Sequence, residues 1–276
     1  MKTMKKILLS LACLLATAGG AWGQTTNGRI YVSLEGNAEA TDAGTSWQNT
    51  TTLADALGRA TAGTEVWVKG YASTSPDSVY VVPTQAGFTL PSGVSLYGGF
   101  AGYETSADLR AVVDGKAYRF AYRTVLTGDI GRNDTPDNDG LIFPGGENGR
   151  TDNATHVLTL NLDPQLGANI NGTRTVVDGF TIGRGNATGT DAAGQGGGIL
   201  VTGDNAQGVG YSIERCFFIE NYAATRGGAL YVDGSVTGAD NYVALCGFFN
   251  NAAGQRATAT NAGGAIALAG AGMVVD

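Results

Sequence analysis

Short runs of alternating apolar and polar residues fill most of the chain, each bounded by Gly, Asn or Asp. Ile30-Tyr31-Val32, Glu65-Val66-Trp67-Val68-Lys69 and Val157-Leu158-Thr159-Leu160 have this form. Such runs predict strands separated by turns. One segment breaks the pattern. From Thr51 to Ala60, Leu53, Ala56, Leu57 and Ala60 share one helical face, Thr51 or Thr52 can cap the start, and Gly63 stops it. The second half repeats itself. Val177-Asp178-Gly179-Phe180-Thr181-Ile182 is followed by Gly197-Gly198-Ile199-Leu200-Val201. Cys216-Phe217-Phe218-Ile219-Glu220-Asn221 is followed by Gly227-Gly228-Ala229-Leu230-Tyr231-Val232. Cys246-Gly247-Phe248-Phe249-Asn250-Asn251 is followed by Gly263-Gly264-Ala265-Ile266-Ala267-Leu268. The Gly-Gly pairs lie 30 and 36 residues apart, and the tetrads Phe218–Asn221 and Phe248–Asn251 lie 30 apart.

A period near 30 built from short strands predicts a coil of parallel sheets in which each turn stacks on the last. The fold class expected is therefore all-β, a solenoid of parallel sheets with an N-terminal capping helix. Stacking places Phe218 over Phe248 and Asn221 over Asn251. The asparagines would take left-handed corner conformations and bond along the axis, and the glycine pairs would make the bends. All of these repeated residues are accounted for by structure. In the same alignment Asp178 falls opposite Cys216 and Cys246, so no ladder of aspartates forms. The two cysteines, one repeat apart, are expected as stacked buried thiols in preference to a disulfide. An exposed end of such a coil would bare its core, so 24–70 reads as an N-terminal cap with the first strands and 71–276 as the turns. The strand-like Gly272 to Asp276 has no cap after it, which suggests truncation at the C-terminus.

Composition changes the picture in two ways. Residues 1–23 combine Lys2, Lys5 and Lys6, an apolar run from Ile7 to Ala18, and small residues in Ala21-Trp22-Gly23. That is the pattern of a secretory signal peptide, so the product is expected to be exported, to the cell surface, outer membrane or extracellular space. No later stretch is long and apolar enough for a transmembrane helix. Three of the 17 basic residues belong to the leader, so 14 remain against 24 acidic ones. Such a balance argues against a nucleic-acid partner and against anionic lipid. Glycine reaches 44 of 276 residues, yet hydrophobic residues stay at 43%, so the chain is not a disordered glycine-rich linker.

Several segments together resemble a known family. Ile30-Tyr31-Val32, Gly44-Thr45-Ser46-Trp47, the Leu53–Ala60 helix and Glu65-Val66-Trp67-Val68 look like the opening of right-handed parallel β-helix proteins of the pectin-lyase-like superfamily. Leu90 to Phe100, with Glu104-Thr105, Arg110 and Thr124 to Ile130, extends the likeness. The Gly-Gly-Ala-Ile and Phe-x-x-Asn units resemble repeats of the polymorphic outer-membrane protein family. The resemblance implies a right-handed parallel β-helix solenoid and an exported bacterial surface protein. It does not fix an activity, because the fold carries lyases, hydrolases and adhesins alike.

Candidate chemistry is sparse. Lyases of this fold pair a basic residue with carboxylate-held calcium, and hydrolases use clustered aspartates. None of Arg174, Arg184, Arg215, Arg226 and Arg256 sits with two acids at matching repeat offsets, and no catalytic residue is assigned. Asp178 reads as a turn aspartate. Asp129, Asp134, Asp137 and Asp139, with Asn133 and Asn138, form the densest acidic stretch and a candidate calcium loop, although the EF-hand spacing is missing. No other cofactor is expected. The only histidine, His156, reads as a surface or hydrogen-bonded residue. Three functions stay open: a non-enzymatic, adhesin-like or glycan-contacting surface protein, which is favoured; a polysaccharide lyase or glycoside hydrolase; and a structural stalk. The partner would be a polysaccharide or a host or cell-surface protein, with Tyr71, Tyr80, Tyr103, Tyr118 and Tyr122 as candidate sugar-stacking residues.

Overall fold

The computed structural model describes residues 28–72, 78–135, 149–162, 174–203, 210–236, 241–254, 264–269 and 273–275; the predicted leader and Gly263 lie outside them. The chain is predominantly β, and every pairing between its strands is parallel. Four sheets result. Sheet I holds seven strands: Arg29–Val32, Glu65–Lys69, Ser95–Phe100, Thr175–Asp178, Tyr211–Glu214, Asn241–Ala244 and Met273–Val275. Sheet II holds five: Tyr80–Val81, Thr124–Thr127, Phe180–Gly183, Phe217–Ile219 and Gly247–Phe249. Sheet III holds the two-residue strands Asn186–Ala187, Tyr222–Ala223 and Ala252–Ala253. Sheet IV holds Phe88–Pro91, Leu158–Leu162, Ile199–Gly203, Leu230–Val232 and Ile266–Leu268. From Thr175 onward the chain visits I, II, III and IV in that order and then returns to I, an arrangement consistent with a parallel β-helix.

Side-chain alternation sorts each strand into an inner and an outer row. In sheet II the register aligns Leu126, Ile182, Phe218 and Phe248 on the inner side. The first three are fully buried, and the rings of Phe218 and Phe248 stack 5.0 Å apart at 4°. Val177, Ile213 and Val243 of sheet I and Leu160, Val201 and Val232 of sheet IV join the same core.

The register corrects the repeat alignment read from sequence. Asp178 pairs with Glu214, and Glu214 with Ala244; Cys216 stands opposite Phe180 rather than Asp178. Phe180, the aromatic residue of the first unit, thus lies two positions before Ile182 of the inner row and is itself buried in the core. The glycine pairs are offset as well. Gly196 matches Gly227 and Gly197 matches Gly228, while Gly198 sits opposite Ala229, because three glycines in a row leave the frame open in sequence. Gly228 is followed in turn by Gly264. Their role is mainly one of space: a Cβ at Gly197 would run into the Tyr222 carbonyl, and one at Gly228 into that of Ala252.

The asparagines stack, but the left-handed corner belongs to their predecessors. Glu220 has φ 56° and Asn250 φ 51°, whereas Asn221 and Asn251 are not left-handed. Released from the corner, the amide of Asn221 turns inward. Its Nδ2 donates to Ile182 O (2.9 Å) and to Asn251 Oδ1 (3.0 Å), and its Oδ1 accepts from Gly185 N (3.0 Å). Asn251 Nδ2 donates onward to Phe218 O at 2.9 Å. Cys216 and Cys246 are free thiols on adjacent turns. Burial pushes the Cys216 thiol up.

The helix spans Leu53–Arg59, with Thr52 Oγ1 accepting from Asp55 N at 3.3 Å. Leu53, Ala56 and Leu57 enter the core cluster beside Ile30, Val66 and Leu90. The outer face of sheet I is covered at this end. Trp67 points outward yet is 1% exposed, stacked on Phe100 at 4.4 Å and tilted against Trp47 at 6.3 Å. Arg29 lies 3.6 Å above its ring, a cation–π contact. Trp47 Nε1 donates to Glu104 O at 2.9 Å, so two motifs that carried the sequence resemblance meet in space.

Candidate binding site

The outer row of sheet II is the face that stays open. Register places Val125, Thr181 and Phe217 in one line across the strands, and Thr127, Gly183 and Ile219 in the next. Two hollows lie over these lines. One, of about 360 Å³, is lined by Val125, Thr127, Thr181, Gly183 and Ile219 along its floor. The other, of about 220 Å³, is lined by Phe120, Thr181, Phe217 and Ile219. They share Arg123, Thr181 and Ile219 and so form one continuous depression. A floor of three successive strands is rigid, because its backbone groups are committed to neighbouring strands. Recognition there falls to side chains.

Those side chains are mostly cationic. Arg119, Arg123, Arg132, Arg184 and Arg215 line the depression, against Asp129 and Glu220 as the only acids among the described lining residues. Both acids are already engaged. Arg184 Nη1 donates to Asp129 Oδ2 at 3.0 Å and Arg184 Nε to Glu220 Oε2 at 3.4 Å. Asp129 is 2% exposed and also accepts from Asn133 N and Asp134 N. Arg184 and Glu220 occupy equivalent corners of successive turns, since Gly183 pairs with Ile219. Of the two acids only Glu220 meets Arg184 at a matching repeat offset. The third partner, Asp129, comes from a loop outside the repeat, which hid the cluster from a search along the period.

Behind the second hollow lies Asp178, 1% exposed. Arg110 Nη2 donates to its Oδ2 at 2.8 Å and Arg215 Nε to its Oδ1 at 2.8 Å. Arg110 is 2% exposed in its side chain and also donates to Gly98 O and Ala107 O. Both guanidinium groups lie over the ring of Phe120, at 4.3 and 5.5 Å. Asp178 is therefore a clamp that fastens the 101–123 segment to the repeats. The expected local turn contacts are not its main bonds.

The acidic loop divides. Asp137 and Asp139 lie outside the described residues. Asp134 Oδ2 accepts from Asn153 Nδ2 at 2.9 Å and lies 4.0 Å from Arg150 Nη1. Arg150 is wholly buried and donates to Gly185 O and Glu220 O, both at 3.0 Å. Burial pushes the Arg150 guanidinium down from its ordinary value and the Asp134 carboxyl up. Around Asp129 and Asp134 the described positive charge is thus supplied by Arg184 and Arg150. Among the described residues no three His, Cys, Asp or Glu side chains gather as a metal site.

The tyrosines separate as well. Tyr80 is buried and donates to Lys69 O, and Tyr71 is half-buried, holding Leu34 N and Glu35. Tyr103 is exposed, and Tyr118 is exposed at the rim of the smaller hollow. His156 is half-buried, its Nδ1 donating to Gly196 O at 3.0 Å, and burial lowers its pKa. No helix among the described residues is long and apolar enough to cross a membrane. Comparisons with protein-family models, curated proteins and solved structures found no match to this chain.

Proposed function

We propose that this is a non-enzymatic, exported surface protein of adhesin-like character that contacts glycans through the outer face of sheet II. In this reading the four sheets are the walls of one right-handed parallel β-helix of the pectin-lyase-like kind, and the Leu53–Arg59 helix caps its first turns. The observation that carries the proposal is the continuous depression over three strands, open to solvent and floored by Val125, Thr181, Phe217 and Ile219. An apolar floor edged by threonine hydroxyls and arginines suits the C–H faces and hydroxyls of a sugar chain. A strand-adding peptide would need a free backbone edge, and a sheet face has none. The acids of the depression favour contact over cleavage. A glycosidase needs two carboxyl groups flanking the scissile bond, one of them free to donate a proton, whereas Asp129 and Glu220 both bond to Arg184. The test is retention of the purified protein on an array of neutral and anionic plant and host glycans. Retention on at least one class is expected, and silence on every class refutes the proposal.

A further inference from the structure

Given the glycan-contacting role proposed above, we infer that the ligand is an anionic glycan, carrying sulfate or carboxylate groups, and that Arg123 is the residue that reads its charge. The chain outside the leader has 14 basic and 24 acidic residues, yet five of those 14 line the sheet II depression. So dense a gathering of arginine on an acidic protein costs self-repulsion and makes the depression a local attractor for anions. Not all five are equally available. Arg184 is held by Asp129 and Glu220, and Arg215 by Asp178. Arg123 differs. It is exposed, its side chain bonds to no described residue, and it lines both hollows, so it stands where they join. Its backbone is fixed by paired hydrogen bonds with Tyr71, 2.9 and 3.0 Å long, and it immediately precedes the strand Thr124–Thr127. A guanidinium on a pinned backbone beside an apolar floor is well placed for paired hydrogen bonds to a carboxylate or sulfate. The sugar ring would lie on Val125, Thr181 and Ile219. Arg119, exposed at the smaller hollow, adds a second cation along the same line.

The experiment measures binding of the purified protein to four labelled probes at low and high salt. They are a sulfated oligosaccharide, an oligouronate, a neutral oligosaccharide of equal length, and polyglutamate. Arg123→Glu is compared with wild type and with Arg226→Glu, the same charge change at an exposed site outside the depression. Exposure of both residues keeps the fold intact, which circular dichroism checks. The expected result is salt-sensitive binding of at least one anionic glycan, weakened about 10-fold or more by Arg123→Glu and unchanged by Arg226→Glu. A preference between the two anionic glycans supports the inference and identifies the anion. Equal binding of the neutral probe, indifferent to Arg123→Glu, overturns the inference while leaving the glycan-contacting role standing. Equal weakening by Arg226→Glu overturns the site, since net charge alone would then act. Polyglutamate bound as tightly, with the same dependence on Arg123, overturns the choice of a glycan. Binding of no glycan removes both the inference and the role beneath it.

Discussion

Replacing Asn221 with alanine removes one buried amide that three neighbours depend on. Asn221 is 1% exposed, and its side chain accepts from Gly185 N and donates to Ile182 O and Asn251 Oδ1. After the substitution the Gly185 N–H loses its acceptor where water does not reach, while the mid-strand Ile182 carbonyl keeps its place in the ladder with the strand Phe217–Ile219. Asn251 Oδ1 is spared, because it still accepts from Asn221 N at 3.1 Å. Leaving a buried polar group unsatisfied costs about 1–3 kcal/mol. One such group gives about 2 kcal/mol, a sizeable share of the roughly 5–15 kcal/mol available to a domain. Asn251→Ala is the internal comparison: that residue is half-buried, water can replace its bonds, and the loss should be about 1 kcal/mol. Urea unfolding followed by far-UV circular dichroism gives the two differences. Hydrogen exchange at the Gly185 amide gives the local one, which matters because stacked turns need not unfold together. The reasoning fails if Asn221→Ala costs no more than Asn251→Ala, or if the Gly185 amide keeps its protection.

Further predictions concern the charged clamp and the histidine. Asp178→Asn keeps the shape but strands the guanidinium of Arg110 in the interior, so stability should fall by about 3–5 kcal/mol. Arg215, 27% exposed, can turn to water and should add little. A loss below 1 kcal/mol in thermal or urea unfolding (on the same scale) would contradict this. The pKa of His156 is lowered by burial below its ordinary 6.5, so between that value and its folded-state value the unfolded chain binds the proton more readily. Stability from this group is complete above pH 6.5 and declines as pH falls through that window. Unfolding curves of His156→Gln against wild type should show a flatter pH profile there, and identical slopes would refute the assignment. Gly179→Ala should destabilise, because Gly179 has φ 85° and a Cβ would come within 2.8 Å of the Phe120 ring; an unchanged melting temperature would contradict it.

What the sequence disclosed follows from the range over which each signal acts. Strand alternation is local, so the parallel strands were readable, as was the pairing of Phe218 with Phe248 and of Asn221 with Asn251, where the spacing is a clean 30 residues. Register failed where glycines blur the frame, at Gly196–Gly198 and around Asp178-Gly179. Tyr80 read as a surface aromatic because its burial depends on Lys69 and the first turns, not on its neighbours in sequence. The depression was not legible at all. Arg119 and Arg123 come from a loop outside the repeat, Arg132 from the acidic loop, and Arg184 and Arg215 from different kinds of corner. One trace existed: Arg184 and Glu220 stand 36 residues apart, the spacing of their turns, with opposite charge. The link from Asp178 to Arg110 spans 68 residues and has no periodic signature.

The central claim is contact with a glycan without cleavage. The most direct measurement incubates the purified protein with the oligosaccharide it retains and reads bound ligand and ligand mass from the same sample. The account predicts saturable binding and a ligand recovered at its starting mass. Shortened products, whether with unsaturated or hydrolysed ends, would contradict it and make Asp129 and Glu220 the first residues to replace.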